Sequence, residues 1–322
     1  MAVVDAKDLT KFKLEADGSV KRVKTMFRNT IEQGGKFEPE ADRYVLYVSL
    51  ACPWAHRTLI VRALKGLENI IAVVRTTPHM STNGWPFASV DAFPGADVDP
   101  YNNADHVRDL YAKADPNHSG RPSVPVLWDT KHKTIVNNES AEIIRILNTA
   151  FNHLLPEKSA NLDLFPPNLR DEIDEINAWI YDTINDGVYK SGFAAAQEVY
   201  EKAFERVFEG LDRVEAALKG KDYLIGDQLT EADVRLYVTI IRFDVVYHSC
   251  FKCNKTTIRD GYPEIHRWLR QLYWNNEAFK STTNFDHIKH HYWWSLFMIN
   301  ANRIVPVGPI PSIHPLWCDE LM

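Results

Sequence analysis

The sequence predicts an α/β domain followed by an all-helical one. Two continuous apolar runs of strand length, 44–48 and 70–74, enclose a segment whose apolar residues fall at helical spacing. That is the pattern of a strand–helix–strand unit with parallel pairing. From about residue 165 the apolar residues recur every three to four positions, without strand-like alternation. A chain of 322 residues is also long enough to divide its core between two domains.

Residues 1–42 are polar, contain Gly34-Gly35 and show few periodic apolars, so they read as an extension wrapped on the surface. The run 44–48 suits a strand covered on both faces. After Cys52-Pro53, the residues Leu59, Ile60, Ala63, Leu64 and Leu67 form a helical stripe that ends near Gly66. Residues 77–104 are rich in Pro, Gly, Asn and Asp, and a loop of that length usually has a function. A short helix is expected at 105–114. Val124-Pro125-Val126-Leu127-Trp128 and Thr134-Ile135-Val136 read as strands around the turn Asp129-Thr130-Lys131. Asn138-Glu139-Ser140 opens a helix with Ile143, Ile144 and Leu147 on one face.

In the second half Ile173, Ile176, Ile180 and Ile184 keep the helical period, as do Ala203, Val207, Leu211, Val214 and Leu218, and later Ile265, Trp268, Leu269 and Leu272. Thr230 and Asp233 have the spacing of a capping box, with Leu229 and Val234 as its staple. The tail after Arg303, with four prolines, reads as irregular. The expected division is an extension at 1–42, an α/β domain at 43–150 and a helical domain at 160–322.

A net charge of −6 argues against nucleic acid as the main partner. No run of 18 uncharged apolar residues predicts a membrane span. The start is mixed in charge and resembles neither a secretory nor a transit segment. Four cysteines (Cys52, Cys250, Cys253 and Cys318) are too few for a disulfide scaffold and fit a reducing cytosol. Nine Trp and thirteen Tyr are enough to fill cores and still line a pocket for a flat ligand.

The chemistry concentrates at Cys52. The order strand, Cys-Pro, helix puts its sulfur at a helix N-terminus, where backbone N–H groups favour a thiolate. Pro53 suits the first helical position because its missing N–H is not needed there. Two-thiol redox proteins carry Cys-x-x-Cys at such a junction, but here the fourth residue is Ala55. The resolving thiol must then come from solution, and glutathione is the candidate. Val124-Pro125, whose peptide bond can be cis, offers a backbone edge for the cysteinyl part. Glu139 can take the ammonium, and Ser140 with its helix N-terminus the α-carboxylate. Arg121 can meet the carboxylate at the other end.

The motif set Cys52-Pro-Trp-Ala55, Gly84-Trp85-Pro86, Arg121-Pro-Ser-Val124-Pro125-Val-Leu-Trp128, Asn138-Glu139-Ser140, Asn185-Asp-Gly-Val-Tyr189-Lys-Ser-Gly-Phe193, Arg242-Phe-Asp244, Phe251-Lys-Cys253-Asn254, Asp286-His-Ile-Lys289 and Ile304-Val-Pro-Val-Gly-Pro309 covers nearly all of the chain after residue 20. It resembles the cysteine-bearing, omega-like glutathione transferases, and within them the glutathionyl-hydroquinone reductases of the Xi class. The resemblance implies a thioredoxin-like N-terminal domain with a C-terminal helical bundle. It implies that Cys52 attacks the sulfur of a glutathionyl-hydroquinone, releases the hydroquinone and is left as a mixed disulfide that a second glutathione resolves. It assigns Trp85, Arg121, Val124, Glu139 and Ser140 to glutathione, and Tyr189, Tyr247 and Tyr292 to the quinone site. It also implies a cytoplasmic homodimer with no metal. Independently, tyrosine hydroxyls suit the developing charge on a quinoid oxygen.

Two other readings stay open on sequence alone. One is an omega-like thiol transferase or dehydroascorbate reductase using the same Cys52. The other is a non-enzymatic docking module. Cys250-Phe-Lys-Cys253 has no second pair at zinc spacing and reads as ordinary thiols. His287, His290 and His291 have i, i+3, i+4 spacing without an evident carboxylate or cysteine, and are not expected to bind a metal. His56, one turn beyond Cys52, reads as surface or packing. Arg206, Arg213 and Lys219 read as a solvated helix face, and Trp293-Trp294 as core.

Overall fold

The computed structural model describes residues 12–22, 25–309 and 313–315. Parts of the 1–42 extension and of the tail, including Pro311 and Cys318, lie outside them. The described chain forms two compact units, one of residues 25–163 with 282–305, the other of residues 12–22 and 164–281 with the described residues from 306 onward. The units therefore cut the chain elsewhere than at 42 and 160. The segment 282–305 gathers with the sheet, and the hairpin of β1 (Phe12–Leu14) and β2 (Val20–Arg22) with the helices.

The first unit is built on β3 (Tyr44–Val48), β4 (Ile71–Arg75), β5 (Val126–Asp129) and β6 (Thr134–Asn137), in the order β4-β3-β5-β6. β3 runs parallel to β4 and antiparallel to β5, with Tyr44 opposite Ile71 on one side and Asp129 on the other. Every residue of β3 is buried, as a continuous apolar run predicts. α1 (Pro53–Leu64), α2 (Val107–Ala114) and α3 (Ser140–Thr149) bury residues in the core of this unit, and the short α4 (Glu157–Ala160), which buries none, follows. α1 packs on α3 and is buried over its whole first half, Pro53 to Val61.

The extension does more than wrap the surface. Asn29 N–H donates to the Val136 carbonyl (3.0 Å) and Asn138 N–H to the Phe27 carbonyl (3.1 Å), so the chain adds to the free edge of β6. Ile31 and Phe37 are buried behind it. An open strand edge presents unpaired backbone groups, and here the extension takes them up. Arg43, just before β3, makes a two-pronged ion pair with Asp129 at the end of β5, through Nε to Oδ1 (3.0 Å) and Nη2 to Oδ2 (2.7 Å). Both side chains are almost wholly buried.

The second unit is helical apart from its hairpin: α5 (Arg170–Ile180), α6 (Gly187–Gly192), α7 (Gln197–Leu218), α8 (Glu231–Arg242), α9 (His248–Cys250), α10 (Ile258–Gly261), α11 (Pro263–Asn275) and α12 (Glu277–Ser281). α13 (Phe285–His290) belongs to the first unit.

Both halves of the capping box form at the start of α8, where Thr230 and Asp233 each accept from the other's end of the turn. Asp233 also accepts from Leu224 N–H (3.0 Å) and Trp268 Nε1–H (3.1 Å), which ties α8 to α11. Burial raises its carboxyl to about 6, against the pull of those hydrogen bonds. Asp233→Ala is expected to cost about 2–4 kcal/mol at neutral pH, because it orphans several buried donors as well as the cap. The folded pKa lies above the ordinary aspartate value of 3.8, so the group stabilises most below that value and loses this contribution as pH rises through about 6. Denaturant melts of the variant should therefore show a larger loss at pH 4 than at pH 7; equal losses would contradict the assignment.

Candidate active site

Cys52 is the N-cap of α1, in extended conformation, with Pro53 in the first turn. Its N–H donates to the Ser49 carbonyl (3.1 Å), and its carbonyl accepts from His56 N–H (2.9 Å). The backbone is thus fixed on both sides, while the side chain makes no capping bond. Instead the thiol donates to the Val124 carbonyl, with Sγ 3.6 Å from the oxygen. The Val124–Pro125 bond is cis. Tyr111 on α2 braces this strand start by donating to the Ser123 carbonyl (3.0 Å) while accepting from Asn138 Nδ2 (2.8 Å). Cys52 and Val124 are both buried.

Glu139 caps α3. One carboxylate oxygen accepts from Ala141 N–H (3.2 Å) and the other from Thr25 Oγ1 (3.2 Å). A carboxylate offers about four acceptor positions, so capping leaves it able to take an ammonium as well. Ser140 follows at the first helical position, and its hydroxyl lies 3.4 Å from Arg57 Nη1. Arg57 was not singled out from the sequence. It is buried on α1, lays its guanidinium over Trp54 at 4.3 Å and joins α1 to the start of α3. The available signal was a cation inside a helix segment too apolar to have a solvent face.

Trp85 sits in the long loop after β4. Ser81 and Gly84 exchange both backbone hydrogen bonds at 2.9 Å, in a turn where Gly84 has φ +88, a conformation side chains resist. The Trp85 carbonyl then accepts from Val107 N–H at the start of α2 (2.9 Å). Its indole is buried and stacks on the His291 ring, with centroids 4.5 Å apart. Arg121 lines a cavity of about 250 Å³ together with Gly84, Arg108, Tyr111 and His118. Tyr292, beside His291, is buried in the same unit.

Tyr189 and Tyr247 belong to the helical unit, where their hydroxyls are 3.5 Å apart. Phe251 packs against both rings at 5.2 and 5.3 Å. Gly192 accepts this packing because a Cβ there would stand 2.3 Å from the Phe251 ring. Each of the three tyrosines lies in or just after a π-helical turn, at Tyr181–Asn185, Phe243–Tyr247 and His291–Ser295. Such turns insert an extra residue and are frequent at functional sites. Apolar periodicity does not announce them.

The discounted residues also have definite places. His56 is fully buried, with Nε2 3.0 Å from Thr282 Oγ1. Cys250 and Cys253 are buried thiols, and burial pushes both up to about 12. His290 does have a charged neighbourhood: its Nδ1 is 3.1 Å from His79 Nε2, and His79 Nδ1 is 3.0 Å from Asp91. Among the described residues no group of three or more His, Cys, Asp or Glu side chains has the arrangement of a metal site.

The chain matches the model of the glutathione S-transferase N-terminal domain over residues 51–150 and that of the C-terminal domain over 197–271. It is 54% identical over 302 residues to glutathione S-transferase omega-like 2 of Schizosaccharomyces pombe, covering 92% of this chain and 96% of that one. It is 50% identical over 300 residues to the glutathionyl-hydroquinone reductase YqjG of Escherichia coli, covering 91% and 89%. The glutathione-bound structure of YqjG superposes with a TM-score of 0.86 over 92% of this chain and 97% of that one, at 49% identity. The crystal structure of glutathione S-transferase Xi from Phanerochaete chrysosporium superposes with a TM-score of 0.93, at 64% identity, over 94% and 97%. With both domain models, whole-length relatives and the same architecture in agreement, the chain belongs to the glutathione transferases, and within them to the Xi class.

Proposed function

We propose that this glutathione-dependent enzyme reduces glutathionyl-hydroquinones. The carrying observation is the Cys52 sulfur held at the start of α1, 3.6 Å from the Val124 carbonyl, with alanine where a resolving cysteine would stand. Cys52 as thiolate attacks the glutathione sulfur of the thioether. The carbon–sulfur bond breaks, its electron pair stays on the ring carbon, and a proton delivered there completes the hydroquinone. Cys52 and glutathione are now joined by a disulfide. A second glutathione attacks that disulfide, restores Cys52 and leaves as oxidised glutathione.

Trp85, Arg121, Val124, Glu139 and Ser140 hold glutathione in this reading, with the Val124 carbonyl free to accept from the peptide once the thiol has left it. Tyr189, Tyr247 and Tyr292 hold the quinol oxygen and stabilise the keto-like ring during protonation. The names of the relatives support the substrate class. The cysteines among the described residues are thiols rather than disulfides, which fits the reducing cytosol in which we place the enzyme, as a homodimer.

Tyr189→Phe removes one hydroxyl and leaves the ring packing against Phe251. It is expected to slow release of the hydroquinone by roughly 10- to 100-fold, the scale of one well-placed proton donor. The Cys52–glutathione adduct should still form from oxidised glutathione, as seen by intact mass. Full reductase activity in Tyr189→Phe would remove this tyrosine from the mechanism. Relatives named omega-like favour a thiol transferase as the second reading. Comparing turnover of glutathionyl-menadiol with that of a simple mixed disulfide separates the two, since a thiol transferase acts on the disulfide alone.

A further inference from the structure

The three histidines at i, i+3, i+4 have a use that is neither metal binding nor surface charge. Each grips a different piece of the long loop that carries Trp85. His287 Nε2–H donates to the Pro94 carbonyl at 2.8 Å, past the middle of the loop. His290 meets His79 at 3.1 Å. His291 Nδ1–H donates to the Pro78 carbonyl at 3.1 Å, where the loop begins. One turn on, Ser295 Oγ donates to the same carbonyl at 2.9 Å and accepts from Met80 N–H at 2.9 Å. Pro78 is therefore held by two donors from the π-helical turn after α13.

His291 differs from the other two in what its ring covers. With Nδ1 tied to Pro78, the imidazole cannot rotate, and it lies on the Trp85 indole at 4.5 Å with 30° between the planes. A ring held by its own hydrogen bond helps set the plane of the ring stacked on it. The backbone around Trp85 is already fixed by the Val107 N–H bond and the Ser81–Gly84 turn. The stack on His291 is a further restraint, acting on the rotation of the buried indole itself.

We propose that His291 is the positioning residue for Trp85, holding the indole in the plane that meets glutathione. This rests on the reading of Trp85 as a glutathione contact. His291 and Ser295, four residues apart and so on one face of the turn, both reach the Pro78 carbonyl, while His290 reaches His79. The i, i+3, i+4 motif is thus a clasp for the loop, and its last member works inside the binding site.

The test is a double-mutant cycle on the full-length enzyme, with glutathione as the titrant in calorimetry and kcat and KM measured on glutathionyl-menadiol. Trp85→Ala should weaken glutathione binding. His291→Ala should raise both Kd and KM for glutathione about three- to tenfold, the range of one lost aromatic stack, with a smaller change in kcat. In the Trp85→Ala background His291→Ala should add almost nothing, because the ring it positions is gone. His291→Phe keeps a flat ring without the Pro78 bond and should recover part of the affinity. Full additivity of the two alanine substitutions, or unchanged affinity in His291→Ala, overturns the proposal. If His291→Ala does not fold, His291→Gln runs the same cycle under the same criterion. A wild-type enzyme that binds no glutathione, or whose affinity is indifferent to Trp85→Ala, instead defeats the reading on which the proposal rests.

Discussion

Cys52→Ala removes turnover, by about a thousandfold or more, while glutathione and its conjugates still bind. The loss is this large because the mixed disulfide needs a sulfur, and no neighbouring group can supply one: position 55 is alanine. Binding persists because its proposed anchors lie elsewhere, on Trp85, Arg121, Val124, Glu139 and Ser140. The Val124 carbonyl loses a thiol donor and keeps its place at the start of β5. Cys52→Ser should be nearly as inactive, since a hydroxyl is a much weaker nucleophile toward sulfur. Quinol release followed by absorbance, with calorimetric glutathione binding in parallel, separates loss of chemistry from loss of fold. Wild-type rates in Cys52→Ala would end the nucleophile assignment.

Asp129→Ala destabilises the protein by about 3–5 kcal/mol, a fall in Tm of roughly 10 °C. The substitution leaves the Arg43 guanidinium buried with its main partner gone. His132 and the Lys131 N–H, which also bond to Asp129, lose their acceptor as well. Burial alone would raise the Asp129 carboxyl, but the hydrogen bonds from Arg43, His132 and Lys131 outweigh it and hold it at about 2. The folded pKa lies below the ordinary aspartate value of 3.8, so this group stabilises the fold above that value. Its contribution is lost as pH falls toward 2. The wild-type advantage over Asp129→Ala should therefore shrink in acid and be full at neutral pH. Replacing both partners, as Arg43→Met with Asp129→Leu, should recover most of the loss, since no unpaired charge then remains. A single substitution costing less than about 1 kcal/mol would show the pair to be incidental.

The legible parts of this molecule share a short range. The run 44–48, the stripe after Cys52-Pro53, the cap at Glu139-Ser140 and the Thr230–Asp233 box are each set within a few residues, and each forms close to where it was placed. Which edge the extension pairs with is not legible locally, because its partner, the β6 edge, lies more than a hundred residues on. The π-helical turns were invisible because one inserted residue hardly disturbs an apolar period. Arg57 was overlooked because its burial follows from packing between α1 and α3.

By itself, then, the amino-acid order determined that one sulfur would stand at the start of a helix with no second thiol beside it, and that strands and helices would divide between the two halves of the chain. These outcomes depend on backbone chemistry over three to five residues, which neighbours cannot easily override. Only the tertiary structure decided that the thiol faces the Val124 carbonyl, that the extension closes the sheet edge and that His291 lies on Trp85. Each of those contacts joins residues far apart in the chain. Their geometry is set by how the core packs, a cooperative property that no local pattern records.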